Sequence, residues 1–546
     1  MSGNDGQSSR RSFLKSAGSA TVVATAASSM AGCLGGDSDS GGTLRYGRSS
    51  HSDTLDPQRT TSGEVSKVTN QIYDGLIDFE PGEAAITESL ATDWSMDGVD
   101  VTIELRDDAQ FDDGTDFTAD DFVATYRRFV DEDYDYYFED ASAYGPFTLG
   151  NWIESVEADG DHSLNITLND PYAPFLRNLA MFAAVVLSKE DIENDFDFNA
   201  DANGTGPFQL EELDNSNGRI LLTPNDNYWG DGPNVEQLLF LERGQNSTRT
   251  QALVEGELEI IDNLAPENIG SVEDSDAAEI QSGEGINIGY MSFNQSRVEA
   301  FRDARVRQAI SYAIDTESIV NEVYSGIAEQ ADQPCPPALF GHNDDLSPYA
   351  YDPDQAESLL EEAGYGDGFS FELTTFQNAR GYNPAPSSTA ETIRTNLGDI
   401  GIDVTIDERP FSDYLTYTSD GKHDASLAGW YTDNADPDNF YYVLLHPQVE
   451  SPDGQDWVDW STEGYNTSNR AAWANQEFMD RVEEAQQTAD QDERANLYHE
   501  AAQIAHDEAP WVYIDYADEI RGVRNTVSNY DVSAIGGPHL HIVELE

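Results

Sequence analysis

His499 and Glu500 begin as the metal-binding face of a helix would, but the next histidine, His506, falls seven residues on, where a zinc pair on one helix face needs a spacing of four. The spacing reads as ordinary polar residues on a helix. Asn199, Asp201, Asn203 and Gly204 imitate the front of a calcium loop, yet the position that should bring the bidentate carboxylate is Leu210. Gly204-Thr205-Gly206 has no lysine behind it to meet a phosphate. His539 and His541 alternate as if on one strand face and lack a third ligand. Cys335 lies among Pro334, Pro336 and Pro337 with no base nearby in sequence, and no Gly-x-Ser-x-Gly elbow occurs. Catalysis is therefore the weaker reading, and neither a metal nor a cofactor is expected. An exported metal-dependent hydrolase using His499, His506 and acidic neighbours stays as a remote alternative.

The amino terminus carries a different kind of signal. Ser9-Arg10-Arg11-Ser12-Phe13-Leu14-Lys15 reads as a twin-arginine export motif, followed by small, weakly apolar residues from Ala17 to Ala31. That stretch is too short and too rich in Ser, Thr and Gly to span a bilayer. Met30-Ala31-Gly32-Cys33 reads as a lipoprotein cleavage box, with residues 1–32 the signal and Cys33 the lipid-bearing residue. Residues 33–42 form a Gly/Ser/Asp-rich tether. The only other cysteine is Cys335, so a lipidated Cys33 leaves the body without a disulfide. The expected location is the extracellular face of the cytoplasmic membrane.

Composition sets the remaining bounds. The chain has 546 residues, with 28 Lys+Arg against 104 Asp+Glu, a net charge of −76. Nucleic-acid binders need clustered basic residues to neutralise phosphates, so that class is excluded. With 38% hydrophobic and 10% aromatic residues the chain can build a large core, which places the acidity on the surface rather than in disorder. After the leader only Lys67, Lys189 and Lys422 remain as lysines. A carboxylate shell almost free of lysine suits multimolar salt, where the Debye length falls to about 3 Å or less. We read the chain as that of a halophile.

The elements available to position a site alternate between α and β. Val101–Leu105 and Leu164–Leu168 alternate as strands, and Ala119–Val130 has helical spacing behind Thr118 as N-cap. Asp303 should cap a helix carrying Val306, Ala309, Ile310, Ala313 and Ile314. Thr389–Leu397 reads as a helix ending at Gly398, with Ile402, Val404 and Ile406 alternating after it. Asn475–His506 reads as one long amphipathic stretch, and Trp511–Tyr516 as a strand. Strands and helices alternating over this length predict two or more α/β lobes.

Several segments in order resemble the peptide/nickel family of extracellular solute-binding proteins of ABC importers, and within it the dipeptide-binding branch. They are Leu55-Asp56-Pro57-Gln58 with Thr61-Ser62-Gly63, Ile72-Tyr73-Asp74-Gly75-Leu76, Ser89-Leu90-Ala91-Thr92-Asp93-Trp94, and FDDGTDFTADDFVATYRR from Phe111. GTGPFQL from Gly204, NYWGDGP from Asn227, GYMSFN from Gly289, VRQAISYAID from Val306, ARGYNPAP from Ala379 and GWYTDNADPDNF from Gly429 follow. The resemblance runs from about Thr43 to the end and implies an α/β, two-lobed periplasmic-binding-protein-like fold of type II, the large peptide-binding class. On that implied plan lobe one covers 43–287 plus 517–546 with an extra subdomain near 80–205, and lobe two covers 288–516. The hinge is expected near Gly289-Tyr290-Met291 and Asp515-Tyr516.

The resemblance also implies a ligand site. Asp433 takes the place of the aspartate that pairs with a dipeptide's α-ammonium, and Arg380 that of the arginine that pairs with its carboxylate. A zwitterion of fixed length asks for this pair, because arginine grips a carboxylate with two parallel hydrogen bonds. Dipeptide termini about 6 Å apart, with salt bridges of about 3 Å at either end, would set the two heads about 12 Å apart. Thr61, Ser62 and Gly63 are expected to supply backbone contacts from lobe one, and Tyr382 and Trp430 flat aromatic walls from lobe two. Asp436 and Asp438 read as turn formers, and Cys335 as a small buried residue. The implied partners are a small peptide and the subunits of an ABC permease, with the receptor itself a monomer. Longer oligopeptides, a nickel complex or an oligosaccharide are the alternative ligands, although no histidines gather as a nickel chelate would want.

Overall fold

The computed structural model describes residues 42–52, 54–138, 144–262, 264–452 and 454–546. The twin-arginine motif, Cys33 and the tether through Gly41 lie outside the described residues.

Helices start where capping chemistry places them. The Asp121 carboxylate accepts the Thr118 backbone N–H at 2.8 Å, closing a capping box at the front of helix Ala119–Val130. Asp303 accepts the Arg305 N–H at 3.0 Å and opens helix Ala304–Ala313. The expected single stretch from Asn475 to His506 is instead two helices, Gln476–Gln487 and Gln491–Glu508. The break is chemical, because the Asp490 side chain accepts the Glu493 N–H at 3.0 Å and caps the second helix. The helix expected from Thr389 starts earlier, at Pro386, whose ring suits a first helical turn, and runs through Gly398 to Asp399. His539 and His541 do not share a strand; His539 caps the 3₁₀ turn Leu540–Ile542 and His541 lies within it.

Two large sheets organise the molecule. The larger has seven strands in the order Ala278–Gly283, Glu519–Arg524, Ile260–Ile261, Thr43–Arg48, Gln237–Glu242, Arg219–Pro224 and Phe208–Asp214. The second has six, in the order Ala328–Gln330, Trp511–Ala517, Asn287–Phe293, Ala425–Tyr431, Ser370–Phe376 and Asp403–Arg409. A four-stranded antiparallel sheet, Ala91–Asp97, Asp100–Leu105, Ser163–Leu168 and Ile153–Ala158, forms a separate layer. This is a mixed α/β, two-lobed fold. The chain crosses between the large sheets through Glu284–Ile286 and again at Asp518. The Asn287 amide clamps the crossings together, donating to the Ala517 carbonyl at 2.7 Å and accepting the Ala517 N–H at 3.0 Å. Gly289 and Asp515, expected at the hinge, sit inside paired strands of the second sheet. Gly289 is glycine for another reason: a Cβ there would stand 2.1 Å from Asp515 Oδ1 and 2.3 Å from the Tyr382 carbonyl oxygen.

One face of the second sheet is covered by helices Ala304–Ala313, Pro353–Ala363 and Pro386–Asp399 through Ile310, Leu360, Ile393 and Leu397. The other face shares a continuous apolar core with the four-stranded layer, in which Trp473, Phe478 and Tyr498 belong to the same cluster as Ile103, Phe122 and Ile166. Cys335 is fully buried there and unpaired in any disulfide. A polar node ties three distant motifs to one carboxylate: Asp74 Oδ2 accepts the Trp229 indole N–H at 2.8 Å and the Thr205 hydroxyl at 2.9 Å. Gly204 is required beside it, since a Cβ would lie 2.0 Å from the Ile72 carbonyl oxygen. Lys67 is held between Glu64 and Asp262, while Lys189 pairs with Asp120 and Lys422 with Asp420 in the open.

Candidate ligand-binding site

Strand Ala425–Tyr431 delivers the loop that carries Asp433. The loop is built as a ladder of side-chain turns. Asn434 Oδ1 accepts the Asp436 N–H at 3.1 Å, and Asp436 Oδ1 accepts the Asp438 N–H at 3.0 Å. Arg494 grips the fully buried Asp436 with two bonds of 2.9 and 2.7 Å. Asp436 and Asp438 thus shape the loop and leave Asp433 as its outward carboxylate. Asp433 is half-buried and accepts the Tyr144 hydroxyl at 2.5 Å. Burial pushes its carboxyl up to about 6, against the opposing pull of that hydrogen bond.

Arg380 follows strand Ser370–Phe376 and opens a tight turn. Its N–H donates to the Asn383 carbonyl at 2.9 Å, and the Asn383 N–H returns to the Arg380 carbonyl at 3.0 Å. The guanidinium lies 3.6 Å over the Phe411 ring. Its Nε has no hydrogen-bond partner, and among the described residues no carboxylate stands within 4.0 Å of it. On a chain with 104 acidic residues, an arginine stacked on a ring and without a counter-carboxylate stands out.

The Tyr382 ring covers Gly429, where a Cβ would meet its Cδ2 at 2.1 Å. Side chains alternate along the strand, so Trp430 faces the opposite side from Tyr382 and donates its indole N–H to Asn439 Oδ1 at 2.5 Å. The two aromatic residues therefore do not form one wall. Thr61, Ser62 and Gly63 are exposed at the start of helix Gly63–Thr69. The Ser62 hydroxyl accepts the Glu64 N–H at 3.3 Å, and its carbonyl accepts the N–H groups of Val65 and Ser66. No hydrogen bond joins this segment to Arg380, Tyr382, Trp430 or Asp433 among the described residues.

Sequence reasoning missed Tyr144, which arrives from the helical turn region before Gly145–Gly150 and has no motif around it. It missed the state of Asp515 as well. That side chain is fully buried, neither carboxylate oxygen has a hydrogen-bond partner, and burial pushes its carboxyl well above the usual range. The contact between lobes near the site is polar: Arg177 donates to the Ala435 carbonyl at 3.0 Å, and Asn434 to Asn178 Oδ1 at 2.8 Å. His506 stacks on Tyr349 at 4.8 Å and meets the Ser347 carbonyl at 3.1 Å, and no group of three or more metal-ligating side chains gathers among the described residues. Nor is any described helix long and apolar enough to cross a membrane.

Asp433 is thus a half-buried carboxylate and Arg380 an arginine without a carboxylate partner among the described residues, on a two-lobed α/β fold. Residues 85–451 match the family "Bacterial extracellular solute-binding proteins, family 5 Middle", and the chain belongs to that family. It is 31% identical over 524 residues to the dipeptide-binding protein of Escherichia coli K12, covering 92% of this chain and 95% of that one. The periplasmic binding protein DppA of Helicobacter pylori, solved with the peptide STSA, superposes with a TM-score of 0.74 at 30% identity, covering 93% of this chain and 98% of that one. The dipeptide-binding protein of Pseudoalteromonas sp. SM9913, solved with Met-Leu, gives a TM-score of 0.71 at 28% identity, covering 92% and 100%.

Proposed function

We propose that the protein is a lipid-anchored receptor that captures dipeptides outside the cell and delivers them to an ABC permease. The observation that carries this reading is Arg380, set on Phe411 with no carboxylate of its own. Arg380 takes the ligand carboxylate and Asp433 takes the α-ammonium, with Tyr144 orienting the aspartate. Tyr382 walls the ligand on its own face of the strand, Trp430 on the opposite face braces Asn439, and Thr61, Ser62 and Gly63 reach the ligand backbone from lobe one. The names of the E. coli and Pseudoalteromonas relatives, and the Met-Leu held by the latter, support a dipeptide. The STSA in the H. pylori relative favours a longer peptide as the second reading.

Lobe one spans 43–287 plus 517–546, and lobe two 288–516. Export by the twin-arginine route, lipidation of Cys33, a monomeric state and a halophilic setting belong to the same proposal.

Calorimetric titration of the body lacking residues 1–33, in about 3 M KCl, tests it with a dipeptide, a tetrapeptide, an N-acetyl dipeptide and a nickel–histidine complex. The free dipeptide should bind alone. Arg380→Ala and Asp433→Ala should each abolish that binding while circular dichroism stays unchanged. Tight binding of the N-acetyl dipeptide would remove Asp433 from the role given to it. Mass spectrometry of the membrane-derived protein tests the lipid on Cys33.

A further inference from the structure

Between the base of the Asp433 loop and the turn that follows Arg380 stands a side chain that the ligand chemistry does not use. Tyr431 ends strand Ala425–Tyr431, two residues before Asp433. Its hydroxyl sits against the backbone on the other side of the site: a Cβ on Gly381 would lie 1.6 Å from Tyr431 Oη and 2.8 Å from Cζ. Gly381 is the residue directly after Arg380, and only glycine admits a phenol so close to its backbone. The ring therefore bridges from the base of the Asp433 loop to the base of the Arg380 turn, with the Tyr382 ring 5.8 Å away and tilted by 53°.

Both ends of this bridge are braced. At the Cα end, Tyr431 pairs across the sheet with Asn287, whose amide is the clamp on the chain crossings. At the hydroxyl end the phenol packs against the Gly381 backbone, and burial first, then the nearby charge of Glu519 at the start of the adjoining strand of the larger sheet, push it well above its ordinary range. Glu519 is in turn held by Arg521 Nη1 at 2.8 Å. A tyrosine has only two side-chain torsions, so a ring fixed at both ends does not adapt its length.

We infer that Tyr431 is a positioning residue that sets the spacing between Asp433 and Arg380, and so the length of peptide the site accepts. The inference rests on the dipeptide reading and deepens it: the ruler is a rigid spacer built into lobe two and packed against Gly381. A spacer of this kind selects by refusing longer ligands more than by holding the right one tightly.

The test measures affinities for dialanine, trialanine and tetra-alanine in the wild type and in Tyr431→Ala, Tyr431→Phe, Gly381→Ala and Gly381→Ala/Tyr431→Ala. Tyr431→Ala should cut the dipeptide-over-tripeptide preference by about tenfold or more, and Tyr431→Phe, which keeps the ring against Gly381 and loses only the hydroxyl, should restore most of it. Gly381→Ala should weaken dialanine binding by about tenfold or more, and the double variant should recover part of that loss because the clash has gone. A preference unchanged in Tyr431→Ala, with all affinities falling together, would overturn the inference and leave Tyr431 a structural residue. A wild type that binds no dipeptide, or whose binding survives Arg380→Ala, defeats the dipeptide reading itself and the inference with it. Near-ultraviolet circular dichroism of each variant separates loss of fold from loss of selectivity.

Discussion

Asp433 ties affinity to acidity. With its carboxyl pushed up to about 6, it loses its charge as the pH falls through that value, and with it the partner proposed for a ligand ammonium. Dissociation constants for a dipeptide should rise about tenfold per pH unit below 6 and level off above it, and titrations in buffers of different ionisation enthalpy should show proton release on binding near pH 6. Tyr144→Phe removes the hydrogen bond that favours the ionised form, so the break in that profile should move to higher pH. Asp515 acts on stability instead. It is buried neutral in the folded protein and ionises freely in the unfolded chain, so the unfolded state binds fewer protons above about pH 4 and stability falls as the pH rises. Its share of that slope is at most about 1.4 kcal/mol per pH unit, and Asp515→Asn, which cannot ionise, should flatten the curve of denaturation free energy against pH. Asp433 and Arg380 could be singled out because each lies in a motif that carries the resemblance, and the role of each stays a proposal. Tyr144, Tyr431 and Asp515 could not, since what makes each matter is a neighbour distant in sequence, or none at all.

Elements were legible where local chemistry decides them. Thr118 with Asp121, and Asp303 with Arg305, mark helix starts by capping alone, and alternation located the strands around Val101, Leu164 and Val404. The Asp490 break was hidden because apolar spacing continues on either side of it, and a short polar gap looks like one more exposed turn. Trp430 shows the other limit: an aromatic residue suits a cleft wall by type, but strand alternation turns this one away from Tyr382. Between elements, the Asp74 node joins three motifs that look independent in sequence. Asp74→Ala would leave the Trp229 and Thr205 donors buried without acceptors, at a cost of about 2–5 kcal/mol in denaturant-induced unfolding. Asp436→Ala should cost about 3–5 kcal/mol by the same measurement, because Arg494 would keep its burial and lose its counter-charge.

At the scale of the whole molecule, the acidic shell makes stability a function of salt. A net charge of −76 repels itself in dilute buffer, and screening shortens from about 10 Å at 0.1 M to about 3 Å at 1 M salt. The melting temperature should climb as KCl is raised from about 0.1 M to about 3 M, with a sulfate series separating charge screening from surface exclusion. The two-lobed plan could be read from the order of motifs, whereas the crossings at Glu284–Ile286 and Asp518 depend on the Asn287 clamp and could not. The scarcity of lysine has a practical side. Among the described residues Lys67 is locked in an ion pair, and the open side-chain amines are Lys189 and Lys422. They form a pair of addressable handles on parts that the proposed capture of a ligand would bring together. Amine-reactive donor and acceptor dyes would report that approach as a change in energy transfer, with no cysteine to engineer and the native thiol at Cys335 sealed from solvent.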